Sequence, residues 1–429
     1  MNKKTNVLVF PCGAESALEI HSALKDIMNM RLIGASGRED HGRMVFENYY
    51  GGFPNISEPD FIEKVNLLIE KESIDLILPT HDTVLVFMAK NADKIKTKIA
   101  VPGLRQAEIC RSKKKIYDLF KDFDFCPVVF QAIEDVKDYP VYVKLDEGQG
   151  SKGAFILRDK KMFEELKDPE NYVITEFLPG EELTIDCFTD RHGNLQFVGP
   201  RIRKRVFDGV CVNSETVEAT DEIKAIGKVV SDKIGIRGSW YFQLKRDENS
   251  KYKLLEASNK IAGNMNVFRG LGVNFPMLMV YDYLDYDVQV FSNDYVLEGE
   301  RALLSRYNAR FDYDTIYIDF DDTITKNDMV NANVMQFIYH QKNKGRVIKL
   351  ITKHKEDIFG TLEKLAIHKG IFDEILHLKM EDEKYKFIKE TERVIFVDNA
   401  YGERFAVKKY LNLPVFDVDA LPTLIDWRE

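Results

Sequence analysis

Residues 5–11 form a short apolar run that ends at Cys12-Gly13 and gives way to helical spacing over 17–24. Strand, glycine, then helix is how a doubly wound sheet begins, with a helix N-terminus aimed at a ligand. The pattern predicts a second strand over 31–36 and a helix over 61–72, with Phe61, Ile62, Val65, Leu68 and Ile69 on its apolar face. A buried strand over 74–78 then runs into Pro79-Thr80-His81-Asp82. Two roles fit His81 and Asp82 equally: contact with a ligand at the end of a parallel strand, or N-capping of the helix over 83–90. Residues 98–102 close this first unit.

Residues 110–122 read as a helix carrying Lys113, Lys114 and Lys115, a triplet that ordinarily marks a solvated face. Residues 139–157 alternate as a strand, place Lys144 at its end, break into Gly148, Gly150, Ser151 and Gly153, and resume as a strand. Glycines let backbone N–H groups approach a ligand closely, and a row of them suits phosphate oxygens. A tight, mobile hairpin accounts for the same stretch equally well. Further strands are expected over 172–177 and 183–188, the latter with Asp186 on one face, and a helix over 222–234. Arg201, Arg203 and Arg205 recur at period two and point from one strand face, where they repel unless an anion or carboxylates sit between them. Residues 240–244 and 251–257 pair around a polar turn, with Gln243 on one strand and Glu256 on the other.

Beyond a polar linker over 296–312, an apolar strand ends in Asp319-Phe320-Asp321-Asp322-Thr323. Aspartates at i and i+2 past a buried strand fall on one side of its exit. One can attack phosphorus while the other handles the leaving-group proton, and such close like charges call for a cation such as Mg²⁺. A strand over 347–351 ends at Thr352, and one over 394–397 at Asp398-Asn399, with Lys384 in a helix before it.

The 429 residues suffice for two or three domains with cores. A formal net charge of -9 argues against a broad nucleic-acid or membrane footprint, so any anion site must be a local cluster of base. The five cysteines have no CxxC spacing and read as free thiols of a reducing compartment. With no cleavable leader pattern and no apolar run of spanning length, a cytoplasmic protein is expected.

The order of these pieces resembles the ATP-grasp superfamily, in the branch of carbamoyl-phosphate synthase large chains and small carboxylate–amine ligases. The resemblance covers about residues 5–290 and rests on Ser112-Lys113, YPVYVKLDEGQGSKG, ITEFLPGEELTID, RIRKRVFDG, WYFQLKRD and LLEASNKIAG. It implies that Lys113 and Lys144 bind ATP phosphates beneath a lid containing Gly150, Ser151 and Gly153. Glu176 and Phe177 would begin the hinge that meets adenine, and Glu182 would take the ribose hydroxyls. Arg203, with Arg201 nearby, would meet the γ-phosphate or a carboxylate substrate. Gln243 and Glu256 would hold Mg²⁺, with Ser258 where the family has Asn, and Lys260 where it has a bidentate Arg. Residues 12–16, His81-Asp82 and 264–269 are expected to shape the acceptor pocket.

The C-terminal strand ends resemble the HAD (haloacid dehalogenase-like) phosphohydrolases. That resemblance makes Asp319 the nucleophile and Asp321 the acid/base, has Thr352 and Lys384 hold the phosphoryl group, and gathers Asp319, Asp321 and Asp398 around Mg²⁺. Asn399 stands where many relatives have Asp, and either Asn399 or Glu403 could be a further ligand. The stretch from Asp321 to Thr352 has room for one helix, so the domain is expected to be capless.

The expected fold is α/β: a pre-ATP-grasp Rossmann-like domain (1–104), ATP-grasp α+β subdomains (105–295, the lid to about 175), a linker (296–312), and a capless HAD-like Rossmannoid domain (313–429). The expected activity is an ADP-forming carboxylate–amine ligase acting through an acyl phosphate, fused to a HAD-type phosphatase. ATP and Mg²⁺ would serve it. Its partners would be a small carboxylate, an amine and a phosphorylated metabolite, with a homodimer as an option. The alternatives are a small-molecule kinase in place of the ligase, or a HAD part that only docks.

Overall fold

A computed structural model of the chain describes residues 4–429 except 149, 151, 208, 303, 308, 427 and 429. It divides into two compact units, Met1–Leu303 and Leu304–Glu429. Among the described residues no helix is long and apolar enough to cross a membrane.

The first unit opens with strands β1 (Thr5–Phe10), β2 (Met30–Ala35), β3 (Asn48–Tyr50), β4 (Leu76–Pro79) and β5 (Lys98–Ile99), all parallel in the order β3-β2-β1-β4-β5. Helix α1 (Glu15–Leu24) starts two residues before the expected helical spacing, and no side chain caps it. Helices α2 (Phe61–Glu72) and α3 (Asp82–Lys90) cover the face that buries Phe61, Val65, Leu68, Val84 and Met88.

The lysine-bearing helix expected over 110–122 is instead two helices, α4 (Leu104–Arg111) and α5 (Lys113–Phe120). Ser112 breaks them: its backbone is extended, and its hydroxyl accepts from the Lys115 N–H as an N-cap. Lys113 therefore sits at the first helical position and is buried, which overturns the solvated face expected for it.

A four-stranded antiparallel sheet follows, built from β6 (Val129–Phe130), β7 (Val141–Leu145), β8 (Phe155–Leu157) and β9 (Tyr172–Glu176) in the order β6-β9-β7-β8, with α6 (Lys160–Glu164) alongside. Its own small core is Ile133, Val141, Val143, Leu157 and Ile174. A larger antiparallel sheet contains β10 (Glu182–Thr189), β11 (Leu195–Phe207), β12 (Val210–Thr216), β13 (Gly238–Arg246), β14 (Tyr252–Ser258) and β15 (Glu298–Glu300) in the order β14-β13-β10-β11-β12-β15. Helix α7 (Asp221–Ile234) packs Ile226 and Val230 into the core of this sheet with Trp240 and Phe242. Helices α8 (Asn266–Gly270) and α9 (Phe275–Tyr283) share a core with α1.

The first five residues of the expected linker belong to this unit, because β15 pairs with β12 over Glu298–Glu300. Pairing satisfies the edge of β12, which a flexible linker would leave open.

The second unit is a parallel sheet of β16 (Thr315–Ile318), β19 (Val347–Thr352), β20 (Glu374–His377), β21 (Val394–Val397) and β22 (Val415–Phe416), ordered β20-β19-β16-β21-β22. Between β16 and β19 lie a two-stranded ribbon, β17 (Thr325–Lys326) and β18 (Met329–Val330), and one helix, α10 (Ala332–Asn343). Helices α11 (Ile358–Lys364) and α12 (Tyr401–Leu411) complete the unit. Lys384 lies on a short 3-10 turn, Lys384–Phe387, where the sequence suggested a longer helix.

Candidate active sites

In the first unit a cavity of about 570 Å³ opens between the small sheet and the large one. Its floor follows from strand register. Arg201 pairs with Thr184, Thr184 with Gln243, and Gln243 with Glu256, so one row of polar side chains crosses β11, β10, β13 and β14. Two residues along, Arg203 forms an ion pair with Glu182, which in turn pairs in register with Lys245. All of these side chains belong to residues that an alternating pattern puts on one face. Arg205 departs from that face, because the β11–β12 register shifts on either side of it, and it pairs with Glu300 outside the cavity.

Lys113 and Lys144 form the opposite wall. The Ser112 hydroxyl lies 2.9 Å from Asp146 Oδ1, and the Lys114 N–H donates to the same oxygen at 2.8 Å, tying the start of α5 to the end of β7. Lys113 Nζ then reaches the carbonyls of Asp146 and Gly148 at 3.3 and 3.4 Å and lies 3.9 Å from Glu256. Lys144 Nζ donates to the Leu255 carbonyl at 3.1 Å and sits 5.2 Å from the Tyr117 ring centre. Burial, reinforced by the neighbouring Lys113 charge, pushes its pKa down to about 7.

Gly150 lines the cavity and has φ of +57°, a conformation that favours glycine. Gly153 is also left-handed but is not part of the cavity wall, and a Cβ there would lie 2.7 Å from Leu145. Ser151 lies outside the described residues. Glu176 accepts the Val128 N–H at 2.8 Å through its side chain, and Phe177 follows it along the wall. Arg201 is almost fully buried, donates through Nε to Asp186 at 2.6 Å, and has an Nη1 without a partner among the described residues. Asp186 is fully buried, and burial raises its carboxyl pKa against the pull of Arg201.

Gln243 and Glu256 offer an amide and a carboxylate oxygen side by side. Hard oxygens of this kind fit Mg²⁺ bound largely by substrate phosphates. Among the described residues no group of three or more His, Cys, Asp or Glu side chains forms a cage that would hold a metal without such phosphates. Ser258 is directed elsewhere: its hydroxyl donates to Asp82 Oδ1 at 3.2 Å. Asp82, the first residue of α3, forms a half-buried ion pair with Lys260. His81, Ser16 and Asn264 do line the cavity, whereas Arg269 turns away to Glu19. Glu15, within the expected 12–16 stretch, lines it too, and so do Arg301 and Lys245, which were missed. Arg301 was hidden because the linker reading ended the domain before it.

In the second unit, Asp319, Thr352 and Asp398 lie at the C-terminal ends of adjacent parallel strands or one residue past them. Lys384 Nζ lies 2.5 Å from Asp319 Oδ1 and 2.7 Å from Asp398 Oδ2, and all three residues are buried. The Thr323 hydroxyl reaches Asp319 Oδ2 at 3.2 Å and accepts from the Asn399 N–H at 3.1 Å. Burial raises the pKa of both carboxyls despite Lys384. Two carboxylates around one ammonium leave negative charge that a divalent cation fits. Asp321 turns its carboxylate to His354 Nδ1 at 2.8 Å, and the Thr352 hydroxyl accepts the His354 N–H at 3.2 Å. Glu403 is occupied by Lys353 at 2.6 Å, which leaves Asp319 and Asp398 as the two carboxylates held together.

Residues 168–298 match the family described as ATP-grasp in the biosynthetic pathway with Ter operon. Phosphoribosylamine–glycine ligase of Clostridium acetobutylicum is 29% identical over 219 residues, 42% of this chain and 53% of that protein. A 5-formaminoimidazole-4-carboxamide ribofuranosyl monophosphate synthetase of Saccharolobus solfataricus is 27% identical over 198 residues, 42% of this chain and 56% of that protein. The chain thus spans about half the length of these relatives. Among solved structures, the biotin carboxylase domain of Hydrogenobacter thermophilus 2-oxoglutarate carboxylase, a dimer with MgADP and bicarbonate, superposes with a TM-score of 0.57 at 16% identity, over 68% of this chain and 72% of that one. The L-amino acid ligase of Bacillus licheniformis gives 0.54 at 19% identity, over 66% and 75%. N5-carboxyaminoimidazole synthetase of Staphylococcus aureus with ADP gives 0.55 at 14% identity, over 68% and 79%. The segment that matches the ATP-grasp model lies within the first unit, and these solved structures share that unit's fold.

Proposed function

We propose that the first unit is an ADP-forming carboxylate–amine ligase and the second a HAD-type phosphohydrolase. The carrying observation is the polar row Arg201–Thr184–Gln243–Glu256 facing Lys113 and Lys144 across one cavity. Phosphoryl transfer needs positioning and charge neutralisation more than covalent help, and this wall supplies both. Lys113 and Lys144 hold the phosphates, Glu182 the ribose, and Arg203 the transferring phosphoryl group or the carboxylate. A substrate carboxylate oxygen attacks the γ-phosphorus and ADP leaves. The amine then attacks the acyl carbon, phosphate departs with the C–O electron pair, and the amine loses a proton. The names of the glycine ligase and amino acid ligase similar to this chain support this chemistry. The carboxylase neighbour, described as a dimer, supports testing the oligomeric state.

In the second unit Asp319 would attack the phosphorus of a phosphate ester while Asp321 protonates the leaving oxygen. Lys384 and Thr352 would hold the phosphoryl oxygens, and water would then hydrolyse the aspartyl phosphate. Mg²⁺, held at Gln243 and Glu256 in one unit and at Asp319 and Asp398 in the other, would neutralise phosphoryl charge in both. The buried Asp319–Lys384–Asp398 cluster is what supports this half of the reading.

An ADP-release screen over carboxylates paired with amines, read by mass spectrometry, tests the ligase. Amine-dependent ADP release with a condensed product is expected; a stable phosphorylated product formed without amine would make the unit a kinase. Phosphate release from aryl phosphates with Mg²⁺, lost in Asp319→Asn, tests the second unit. Its absence from the unaltered protein would make that unit a docking module.

A further inference from the structure

The acceptor end of the ATP-grasp cavity holds a charge arrangement that the resemblance did not supply. Lys260, at the position where the family carries an arginine, lines the cavity with its ammonium paired to half-buried Asp82. A second cation at this end is Arg301, which follows β15 and is fixed there when its N–H donates to the Val212 carbonyl at 2.7 Å. Its Nη1 donates to Glu15 Oε2 at 2.8 Å and to Asn264 Oδ1 at 3.1 Å. Asn264 is itself locked, since its Nδ2 donates to the Cys211 carbonyl at 2.8 Å. Gly263 makes room for the group: a Cβ there would lie 2.9 Å from Nη1.

Arg301 and Glu15 both line the cavity, with side chains 25% and 55% exposed. Nη1 is engaged, while Nη2 makes no hydrogen bond among the described residues. The other Glu15 oxygen, Oε1, makes none either. A neutral ion pair with one donor edge and one acceptor oxygen to spare offers little to a bare carboxylate, which Arg301 attracts and Glu15 repels. It offers both halves of a match to a zwitterion, through charge-assisted hydrogen bonds of opposite sense.

We infer that Arg301 and Glu15 form the recognition site for an α-amino acid substrate, Arg301 taking its carboxylate and Glu15 its ammonium. This rests on the ligase reading for its place in catalysis, but the binding itself does not require that reading. The pair sets specificity; neither residue is assigned to the reacting atoms.

The test uses the full chain with MgADP and a panel of the proteinogenic L-amino acids, each with its N-acetyl and its amide form. Thermal shift reports binding, and ADP release from MgATP reports turnover. At least one free amino acid should raise the melting temperature, and masking either end should weaken its half-saturation at least about ten-fold. Arg301→Met should weaken it equally while MgADP half-saturation stays within about two-fold, and Arg301→Lys should recover part of the loss. Glu15→Gln, a surface change safe for folding, should reduce the preference for the free over the N-acetyl form. Equal binding of masked and free forms, no effect of Arg301→Met, or silence across the panel overturns the inference. Silence across the panel with ADP release from some other carboxylate–amine pair leaves the ligase standing. Arg301-dependent amino acid binding with a phosphorylated rather than condensed product sinks the ligase and keeps the subsite.

Discussion

Lys144→Met should make the first unit more stable at neutral pH while removing its grip on nucleotide. The unfolded lysine titrates at 10.5 and the folded one at about 7. Between those values the unfolded chain holds a proton that the folded chain has lost, so wild-type stability rises with pH across the window. At about 1.4 kcal/mol per pH unit, holding lysine rather than an uncharged group at this site costs the fold about 4 kcal/mol at pH 7. Methionine keeps the stem over Tyr117 and forfeits one hydrogen bond, worth about 1 kcal/mol. The Leu255 carbonyl is not orphaned, because the Tyr117 hydroxyl donates to it at 2.7 Å. A net gain of about 3 kcal/mol remains.

The assay is urea unfolding at pH 7, 8 and 9, followed by Trp240 fluorescence in a Trp427→Phe background, beside calorimetric titration with MgADP. The stability gap should shrink by about 1.4 kcal/mol for each pH unit as wild type gains, and MgADP affinity should fall at least about ten-fold. A variant less stable than wild type at pH 7, or a gap that ignores pH, would refute the reasoning.

Lys260→Met removes the ammonium that outweighs the burial of Asp82 and holds its carboxyl below the ordinary range; a loss of about 3–5 kcal/mol is expected, largely restored by Asp82→Asn in the same chain. Wild-type Asp82 adds stability above the unfolded carboxylate range and loses it as pH falls through the lowered folded value, so the acid-unfolding midpoint should rise in Lys260→Met. Gly180→Ala, in the loop between β9 and β10, would put a Cβ 2.8 Å from the Arg246 carbonyl oxygen; melting and MgADP titration should show a loss of about 1–3 kcal/mol and weaker nucleotide binding. Asp319→Asn should abolish phosphate release, by at least about 10³-fold, yet raise the melting temperature of the second unit because it removes one of two buried carboxylates.

The parallel strands β1, β2, β4, β16, β19 and β21 were legible because their apolar runs end at glycine or polar residues, as at Cys12-Gly13 and after Ile318, whereas the short strands β3, β20 and β22 were not predicted. The register of the large sheet was not, since period two places Arg201, Arg203 and Arg205 on one face and says nothing of the shift that turns Arg205 to Glu300. Ser112 in front of three lysines was readable as a cap, but the triplet's polarity concealed the burial of Lys113, which only the neighbouring β7 end imposes. Pairings between residues far apart in the chain, Asp82 with Lys260 and Glu15 with Arg301, leave no local mark. They were recoverable only from coordinates, and they decide what the acceptor end can hold.

Charge imbalance, more than any single motif, tells the two sites apart. Three buried cations line the first cavity: Lys113 lies within 3.9 Å of Glu256 and Arg201 within 2.6 Å of Asp186, whereas Lys144 has no carboxylate at ion-pair distance among the described residues. The cavity therefore carries an unmatched positive charge whose burial the fold sustains at a cost in stability, and an incoming phosphate is the group that relieves it. The second site has the opposite deficit, two buried carboxylates against the single Lys384 ammonium. Burial raises the pKa of both carboxyls, that of Asp319 to about 6, so at mildly acid pH the pair carries protons that a cation displaces. Anion binding should thus draw a proton onto Lys144 in one unit, and cation binding should release protons from the Asp319–Asp398 pair in the other. Calorimetry in buffers of different ionisation enthalpy separates the two, and proton changes of the same sign at both sites would contradict the electrostatic assignment.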